Sequence, residues 1–433
     1  MPTAFDQVIQ DLNAAAGDFG KLALITFDFI VRDDPALKAA AEAAAVPHWF
    51  DEATLAALLP QRAAEAAAVL QALQRLPMVE TYPMEDRSPA WNLHEATRTA
   101  LRRRLWLADL PRFLELSQRA ADHFGTLAGP LEKTKEGVEK NAPWRIEAFC
   151  HRLLAQPAKG AEHVSVFVET LLATHRLERL QAVAALLAEV LEGPWDACAQ
   201  AQRTRDAAEW ARAQYNVGLA LYHLGTCVAP QLGNRLLAQG VRAFRAALEV
   251  YARGSLPQQW ADTQNTLAIA LRNQGSRSEG AAGLALLGEA VAACRAALEV
   301  RTRESLPQDW AMTQNNLAIA LQEQGTRSEG AAGLALLGEA VAAYRAALEV
   351  RTRESLPQKW AMTQYNLGIA LGCQGDKAGD RDEKRRLYQQ AEAACLLALE
   401  VHTPEALPYH HQLTQQILTL VRARLKALDE AQA

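Results

Sequence analysis

Cysteine is scarce in this chain of 433 residues, which contains only six cysteines. None of them forms a CxxC pair or a cluster with histidine, so the sequence predicts neither a disulfide framework nor a zinc site. A reducing compartment fits this pattern best, and we expect a cytoplasmic protein that needs no metal or cofactor. The six positions are Cys150, Cys198, Cys227, Cys294, Cys373 and Cys395.

Aromatic residues make up only 6% of the chain and β-branched residues are also sparse, whereas leucine and alanine supply most of the 50% apolar fraction. This balance excludes a large all-β fold and favours helices. No stretch approaches the roughly 18 uninterrupted apolar residues of a membrane span, and residues 1–13 lack the basic start of a signal peptide. We therefore expect a soluble protein without a membrane partner.

The chain also has no large excess of positive or of negative residues. Lys and Arg number 45 against 50 Asp and Glu, which gives a formal net charge of -5. No global field therefore draws the protein onto nucleic acid or an anionic membrane, and any such contact must come from a local cluster.

Recognisable catalytic sets are absent too. The chain has no G-x-x-x-x-G-K-[ST] phosphate loop and no nucleophile, base and orienting group at a known spacing. Cys150 and His151 are adjacent, but neighbours on a helix point about 100° apart. The amphipathic segment EAFCHRLL predicts a core cysteine beside a surface histidine. We expect a protein that is not an enzyme.

What the chain does contain is an internal repeat of 50 residues. Each unit has a helical segment such as WAMTQNNLAIAL, which a glycine after three further residues is predicted to end, and then a second helical segment such as AYRAALEV. Ser-Leu-Pro before the next tryptophan predicts a capping serine and a first-turn proline. Each unit is therefore predicted to be a helix pair. The marker residues are Trp210, Trp260, Trp310 and Trp360, with Gly225, Gly275, Gly325 and Gly375.

The third unit resembles a tetratricopeptide repeat, whose usual period is about 34 residues. We place the extra length in a longer inter-helix loop at 326–335 and in a longer segment, Ser-Leu-Pro-Gln, that precedes the first helix. This long variant resembles arrays in bacterial multidomain signalling proteins. The resemblance implies a mainly α fold, a right-handed α-solenoid with four units at 203–409 and a capping helix at 410–433. It rests on Asn316, Leu317, Ala318, Ala320, Leu321, Gln324, Gly325, Ala340, Tyr344, Ala347 and Leu348.

Residues 256–305 and 306–355 differ at only seven positions, which indicates a recent duplication. Five of the seven are assigned to the first helix, and four of these share one face of a 3.6-residue period. In tetratricopeptide arrays the first helices line the concave surface, so this face is the predicted ligand groove; free drift of exposed positions is the alternative. The pairs are Gln259/Asp309, Asp262/Met312, Thr266/Asn316, Arg272/Gln322, Asn273/Glu323, Ser276/Thr326 and Cys294/Tyr344.

An asparagine recurs at one site of this groove and resembles the asparagine ladder of peptide-binding relatives such as the kinesin light chains. An amide can pair with an extended backbone irrespective of its side chains; a bridge between neighbouring helices is the alternative. The repeat tryptophans are interpreted as packing residues. The resemblance places in the groove Arg212, Tyr215, Asn216, Tyr222, His223, Asp262, Asn265, Thr266, Arg272, Asn273, Met312, Asn315, Asn316, Gln322, Glu323, Met362, Tyr365 and Asn366, with Leu219, Ile269, Ile319 and Ile369 between them.

The first 106 residues follow another pattern. After two helices, the segment from Met78 to Trp106 predicts a hairpin with a loop at 84–89 and a helix from Glu95 to Trp106. This segment resembles the winged helix that follows the nucleotide-binding core in STAND-type signalling ATPases, although that core is missing here. Residues 107–202 resemble the degenerate helix pairs that join such a module to a repeat array.

Four arginines give the last of these helices a local basic face and are candidate nucleic-acid contacts: Arg98, Arg102, Arg103 and Arg104. The candidate recognition segment from Glu52 to Leu59 is acidic and aliphatic, which does not suit base edges. A solvated or intramolecular arginine face is therefore the favoured interpretation.

The sequence thus predicts a non-enzymatic scaffold or adaptor that binds an extended peptide or a partner protein in its groove. A place in bacterial signalling or defence follows from analogy. The alternative is a DNA-binding regulator that uses the winged helix, with the repeat array as its sensor. The identity of the partner and the oligomeric state are left open.

Overall fold

The structure is a computed structural model, which describes residues 4–83, 89–132, 134, 136, 139, 141–193 and 195–430. Its chain divides into two compact units, Met1–Leu232 and Gly233–Ala433. The division falls within the first predicted repeat.

Aspartate caps start several helices of the first unit. The side chains of Asp34, Asp51 and Asp109 accept hydrogen bonds from backbone N–H groups three residues later, which satisfies donors that the helix leaves free. The elements of this unit are α1 (Ala4–Ala14), α2 (Phe19–Val31), α3 (Pro35–Ala44), α4 (Glu52–Leu58), a 3-10 segment (Pro60–Glu65), α5 (Ala66–Gln74), β1 (Val79–Tyr82), β2 (Ala90–Leu93), α6 (Glu95–Ala108), α7 (Leu110–Ala128), α8 (Ala142–Ala155), α9 (Pro157–Ala173), α10 (Leu177–Glu192), α11 (Trp195–Arg203) and α12 (Ala207–Cys227).

The predicted hairpin and the helix after it are confirmed. β1 and β2 pair antiparallel, with Val79 opposite Leu93, and Phe50 extends the pairing through a bridge to Trp91. Most of the predicted loop, residues 84–88, lies outside the described residues. The winged-helix arrangement of these elements stays a prediction.

An aromatic cluster forms part of the core of the first unit. The ring of Trp49 lies edge-on to Phe124 and Trp144, at centroid distances of 5.0 and 4.6 Å, and stacks on Tyr82 at 6.5 Å. These contacts join the hairpin to α7 and α8, so the hairpin is fixed against the helices that follow it.

Helix pairs make up the second unit. α14 packs on α15, α16 on α17 and α18 on α19, and each second helix also packs on the next first helix. This arrangement is an α-solenoid, and the predicted mainly α fold is confirmed. The elements are α13 (Pro230–Leu248), which begins three residues before the unit does, α14 (Pro257–Ser276), α15 (Gly280–Leu298), α16 (Pro307–Arg327), α17 (Gly330–Leu348), α18 (Pro357–Lys377), α19 (Arg381–Leu399) and α20 (Pro408–Glu430).

The prediction that a glycine ends each first helix is wrong. α16 continues through Gly325 to Arg327. A Cβ at Gly325 would lie 3.0 Å from the carbonyl oxygen of Gly333 and 3.0 Å from the side chain of Leu337. The residue is therefore glycine because the second helix of the pair approaches closely at this point.

The prediction of a long inter-helix loop is also wrong. Only residues 328–329 separate α16 from α17, whose first residue Gly330 has a φ of +59°. The extra length of the repeat lies mainly in the helices, which have 21 and 19 residues. Pro307 starts α16 as predicted, but the residue before it, Leu306, occupies the N-cap position instead of Ser305.

Among the described residues, two helices, α15 and α17, are long and apolar enough to cross a membrane by length and composition alone. This is weak evidence, because the core helix of a soluble protein passes the same test. Each of the two packs between two first helices.

Candidate functional site

The first-helix face is the row of partly exposed side chains that α14, α16 and α18 present at equivalent positions. Successive first helices contact one another, so their rows are neighbours. The 3.6-residue period separates these positions from the buried ones between them. The face consists of Asp262, Thr266, Ile269 and Asn273 on α14, of Met312, Asn316, Ile319 and Glu323 on α16, and of Met362, Asn366 and Ile369 on α18.

Six of the seven differences between the duplicated repeats lie on α14 and α16, one more than predicted, and all six are exposed or half-buried. The seventh, Cys294/Tyr344, is buried and is coupled to one of the six. The hydroxyl of Tyr344 donates a hydrogen bond to Gln322 Oε1 at 3.0 Å, whereas Arg272 stands at the equivalent position in the other repeat. The larger buried side chain thus comes with an acceptor for its hydroxyl.

Asparagines join neighbouring first helices. Asn316 Nδ2 donates to Asn265 Oδ1 at 3.0 Å, and Thr363 Oγ1 lies 3.4 Å from Asn315 Oδ1. Asn265 and Asn315 are buried, so these two predicted groove residues are contacts between helices. Asn316 itself forms the inter-helix bridge that the sequence left as an alternative, whereas the side-chain amide of Asn366 has no hydrogen-bond partner within residues 233–430.

A second row of recurring contacts, which was not predicted from the sequence, lies beside the face. Arg301 is 4% exposed and donates from Nη1 to Thr313 Oγ1 at 2.9 Å; from Nη2 it reaches Asp262 Oδ1 at 2.6 Å. Arg351 is 8% exposed and donates from Nη1 to Thr363 Oγ1 at 3.0 Å. The 50-residue spacing of these Arg and Thr residues was a signal that could have found them.

The same position in the last unit holds His402, which is buried. Its Nδ1 lies 3.0 Å from Thr414 Oγ1, and its ring stacks on His410 at a centroid distance of 5.2 Å. Burial lowers the pKa of His402, and the neighbouring His410 and His411 add to this effect. A neutral imidazole therefore takes the place of the arginine at the end of the array.

The groove residues predicted on α12 belong to the first unit, whereas the first-helix face of α14 to α18 belongs to the second. Arg212 is exposed and lies 3.4 Å from Glu209, whereas the other predicted side chains of this helix are half-buried. Burial lowers the pKa of His223. The remaining predicted groove residues of α12 are Tyr215, Asn216 and Tyr222.

The four arginines of α6 do not form one exposed basic face, and three of them form intramolecular contacts of the kind that the favoured interpretation of the sequence includes. Arg98 and Arg102 are only 6% and 8% exposed, and both contact Glu189 Oε1, at 2.9 and 2.8 Å. Arg104 contacts Asp28 at 2.7 Å and also pairs with Glu42. Arg103 is the member of the group that is exposed. Intramolecular ion pairs therefore hold most of this positive charge.

Glu189 belongs to a chain of charged groups that joins four parts of the first unit. Its Oε2 lies 3.3 Å from His48 Nε2, and His48 Nδ1 lies 2.8 Å from Glu147 Oε1. Glu147 Oε2 in turn lies 3.2 Å from His151 Nε2. Apart from Glu147 and His151, which lie one turn apart on α8, these residues are far apart in sequence, and no local pattern could have identified them as partners.

In this network, His48 and Glu147 each favour the charged form of the other. Burial disfavours a charged His48, but the Glu147 and Glu189 carboxylates together outweigh it and raise the pKa of His48 above 6.5. Burial also disfavours ionised Glu147, yet His48 and the hydrogen bond from His151 hold its pKa well below 4.5. His151 behaves differently, because burial dominates and lowers its pKa.

Cys150 and His151, which are adjacent in the sequence like a candidate catalytic pair, have a structural environment. His151 is 1% exposed, so the prediction of a surface histidine is wrong; its bond to Glu147 explains how a polar ring is buried there. Burial raises the pKa of the Cys150 thiol well above 9.0, which disfavours the thiolate that a nucleophile requires. Among the described residues, no group of three or more His, Cys, Asp and Glu side chains could hold a metal ion.

No protein-family model and no curated protein matches this sequence. Two solved structures are similar over most of the chain. A circular tandem repeat protein shares 16% identity with a TM-score of 0.35, covering 98% of this chain and 89% of its own. A signal transduction ATPase with numerous domains (STAND protein) with a tetratricopeptide repeat sensor, from Pyrococcus horikoshii, shares 10% identity with a TM-score of 0.32, covering 100% and 70%.

Proposed function

We propose that this protein is a non-enzymatic scaffold that binds an extended segment of a partner protein on the first-helix face. The observation that carries the proposal is the regular composition of that face. An isoleucine recurs at Ile269, Ile319 and Ile369, and a hydrogen-bonding side chain recurs one turn before each of them. Such a face offers apolar contact in three successive first helices, and the Asn366 amide adds a group that can recognise a peptide backbone.

The spacing of the repeats suits an extended chain. Packed helices lie about 8–10 Å apart, and an extended chain rises about 3.3 Å per residue, so one repeat corresponds to about three residues of ligand. The Asn366 amide has no hydrogen-bond partner within residues 233–430, which leaves its donors and its acceptor for a backbone.

The resemblance to tetratricopeptide arrays supports the same assignment, since first helices line the binding surface in that family. The resemblance of residues 78–106 to STAND-type winged helices adds a role in bacterial signalling or defence by analogy.

Selection from a random 12-residue peptide library displayed on phage, with the full chain as bait, tests this function. We expect enriched peptides whose affinity falls about fivefold for Asn366→Ala, because a hydrogen bond contributes about 1 kcal/mol. Fluorescence anisotropy with an enriched, labelled peptide measures the change. Ile369→Ala should weaken the same peptide through lost apolar contact.

Gln389→Ala is the matched control, because Gln389 is an exposed amide on the second helix α19. It should leave the affinity unchanged. Equal effects of Asn366→Ala and Gln389→Ala, or a library without enrichment, would contradict binding on the first-helix face.

A further inference from the structure

Arg351, a buried arginine beside the first-helix face, lacks an acidic partner, whereas its equivalent Arg301 has one. In the first of the duplicated repeats, Arg301 Nη2 reaches Asp262 Oδ1 at 2.6 Å, and more than half of the Asp262 side chain is exposed on the face. Thr313 donates its own proton to the Asp309 carbonyl, so it serves the arginine as an acceptor. A carboxylate therefore neutralises this buried guanidinium.

Fifty residues later the same arrangement of arginine, threonine and backbone carbonyl is present, but the carboxylate is missing. Arg351 Nη1 donates to Thr363 Oγ1 at 3.0 Å, and Thr363 donates to the Lys359 carbonyl, as in the preceding repeat. Met312 stands where Asp262 does, and a thioether is only a weak acceptor. Arg351 forms no ion pair with any residue in 233–430.

The orientation of the guanidinium follows from the shared bond. Because Nη1 is held by the threonine in both repeats, we expect Nη2 of Arg351 to point toward Met312, as Nη2 of Arg301 points to Asp262. Burial lowers the pKa of Arg351, and no neighbouring charge contributes. A buried guanidinium without a counter-charge is costly, and a carboxylate supplied from outside would remove that cost.

The surrounding charges favour an acidic ligand group. Lys359 is exposed one turn before Thr363 on α18 and adds a second positive charge on this side of the helix. Asp309 lies one turn before Met312 on α16, but it does not pair with Arg351. Met312 and Asn316 lie one turn apart on α16, at the positions equivalent to Asp262 and Thr266 of α14.

We propose that Arg351 is a subsite for an acidic side chain: an Asp or Glu of the bound segment enters beside Met312 and pairs with the guanidinium as Asp262 pairs with Arg301. This inference rests on the proposed function and names the chemistry of its partner, a protein segment with an acidic residue at a fixed position.

The same random 12-residue library tests this subsite. Peptides selected on the natural chain should share an Asp or Glu at one position, and replacing it by the amide should weaken binding about tenfold. Met312→Asp copies the preceding repeat and supplies the acid from within. It should abolish the preference for the acid over the amide, without lowering the melting temperature.

Asp262→Met is the reciprocal variant, because it removes the internal acid from Arg301. Peptides selected on it should carry a second acid about three residues from the first. Enriched peptides without an acidic preference, or a preference that survives Met312→Asp, would overturn the subsite while the proposed function stands. A library with no enrichment on the natural chain would overturn both.

Discussion

Arg102 Nη1 and Glu189 Oε1 lie 2.8 Å apart, although 87 residues separate them in the sequence. Glu189 also contacts Arg98 and His48. One carboxylate of α10 thus faces two arginines of the helix after the hairpin and a histidine that precedes α4. The relationship ties the N-terminal module to the helices that follow it.

Replacing Glu189 by Gln should destabilise the first unit. The side chain is 41% exposed, so solvent screening reduces the loss from the 3–5 kcal/mol of a fully buried pair to about 2 kcal/mol. Native-state hydrogen exchange in α6 and α10 measures the effect locally. Glu162→Gln, at an exposed acid of α9, is the control and should stay within about 0.5 kcal/mol of the natural chain. A change no larger than this control would mean that the network contributes little.

The stabilisation by His48 should depend on pH. Its pKa is raised above 6.5 in the folded chain, so the folded state holds a proton that the unfolded state releases as the pH rises. The contribution is therefore complete below pH 6.5 and is lost as the pH rises through the folded pKa. The cost of His48→Gln, read from hydrogen exchange in α8, should be largest near pH 6 and shrink toward about pH 9.

His151 provides the opposite case. Its pKa is lowered by burial, so its contribution is present above pH 6.5 and is lost as the pH falls through the folded pKa. The cost of His151→Gln should therefore shrink as the pH falls from about pH 7 to about pH 5. The same trend for both histidine variants would be incompatible with the assigned charges.

Duplex DNA should bind weakly or not at all. Arg98 and Arg102 are engaged by Glu189, so α6 offers few free positive charges for phosphates. A labelled duplex of arbitrary sequence at about 50 mM salt should give no saturable anisotropy change. Binding that depends on salt and disappears in Arg103→Glu would instead revive the regulator hypothesis.

The Tyr344 hydroxyl should stabilise α16 through Gln322. Tyr344→Phe leaves the amide oxygen without its donor and should cost about 1 kcal/mol. Hydrogen exchange in α16 measures the loss, with Tyr409→Phe at a ring that is 67% exposed as the control. Gln322→Ala should add little to Tyr344→Phe, because both remove the same bond. Full additivity of the two changes would show that the bond contributes nothing.

Local patterns predicted much of this structure. The hairpin and the helix pairs follow from hydrophobic periodicity and turn residues, which act over a few residues of chain. The role of Gly325 could not be read in the same way, because a glycine near a helix end is equally consistent with a stop and with a close contact. The neighbouring helix decides between the two.

The candidate site likewise has features that the sequence predicts and features that only packing decides. The sequence by itself determined the 50-residue repeat and the row of positions on which the duplicated units differ, because identity and helical period are properties of the chain alone. Only the tertiary structure decided that Arg98 is buried against Glu189 and that Arg351 lacks the acid found at Arg301. Such partners are brought together by packing across long sequence separations, and the free energy of a charge depends on what surrounds it after folding.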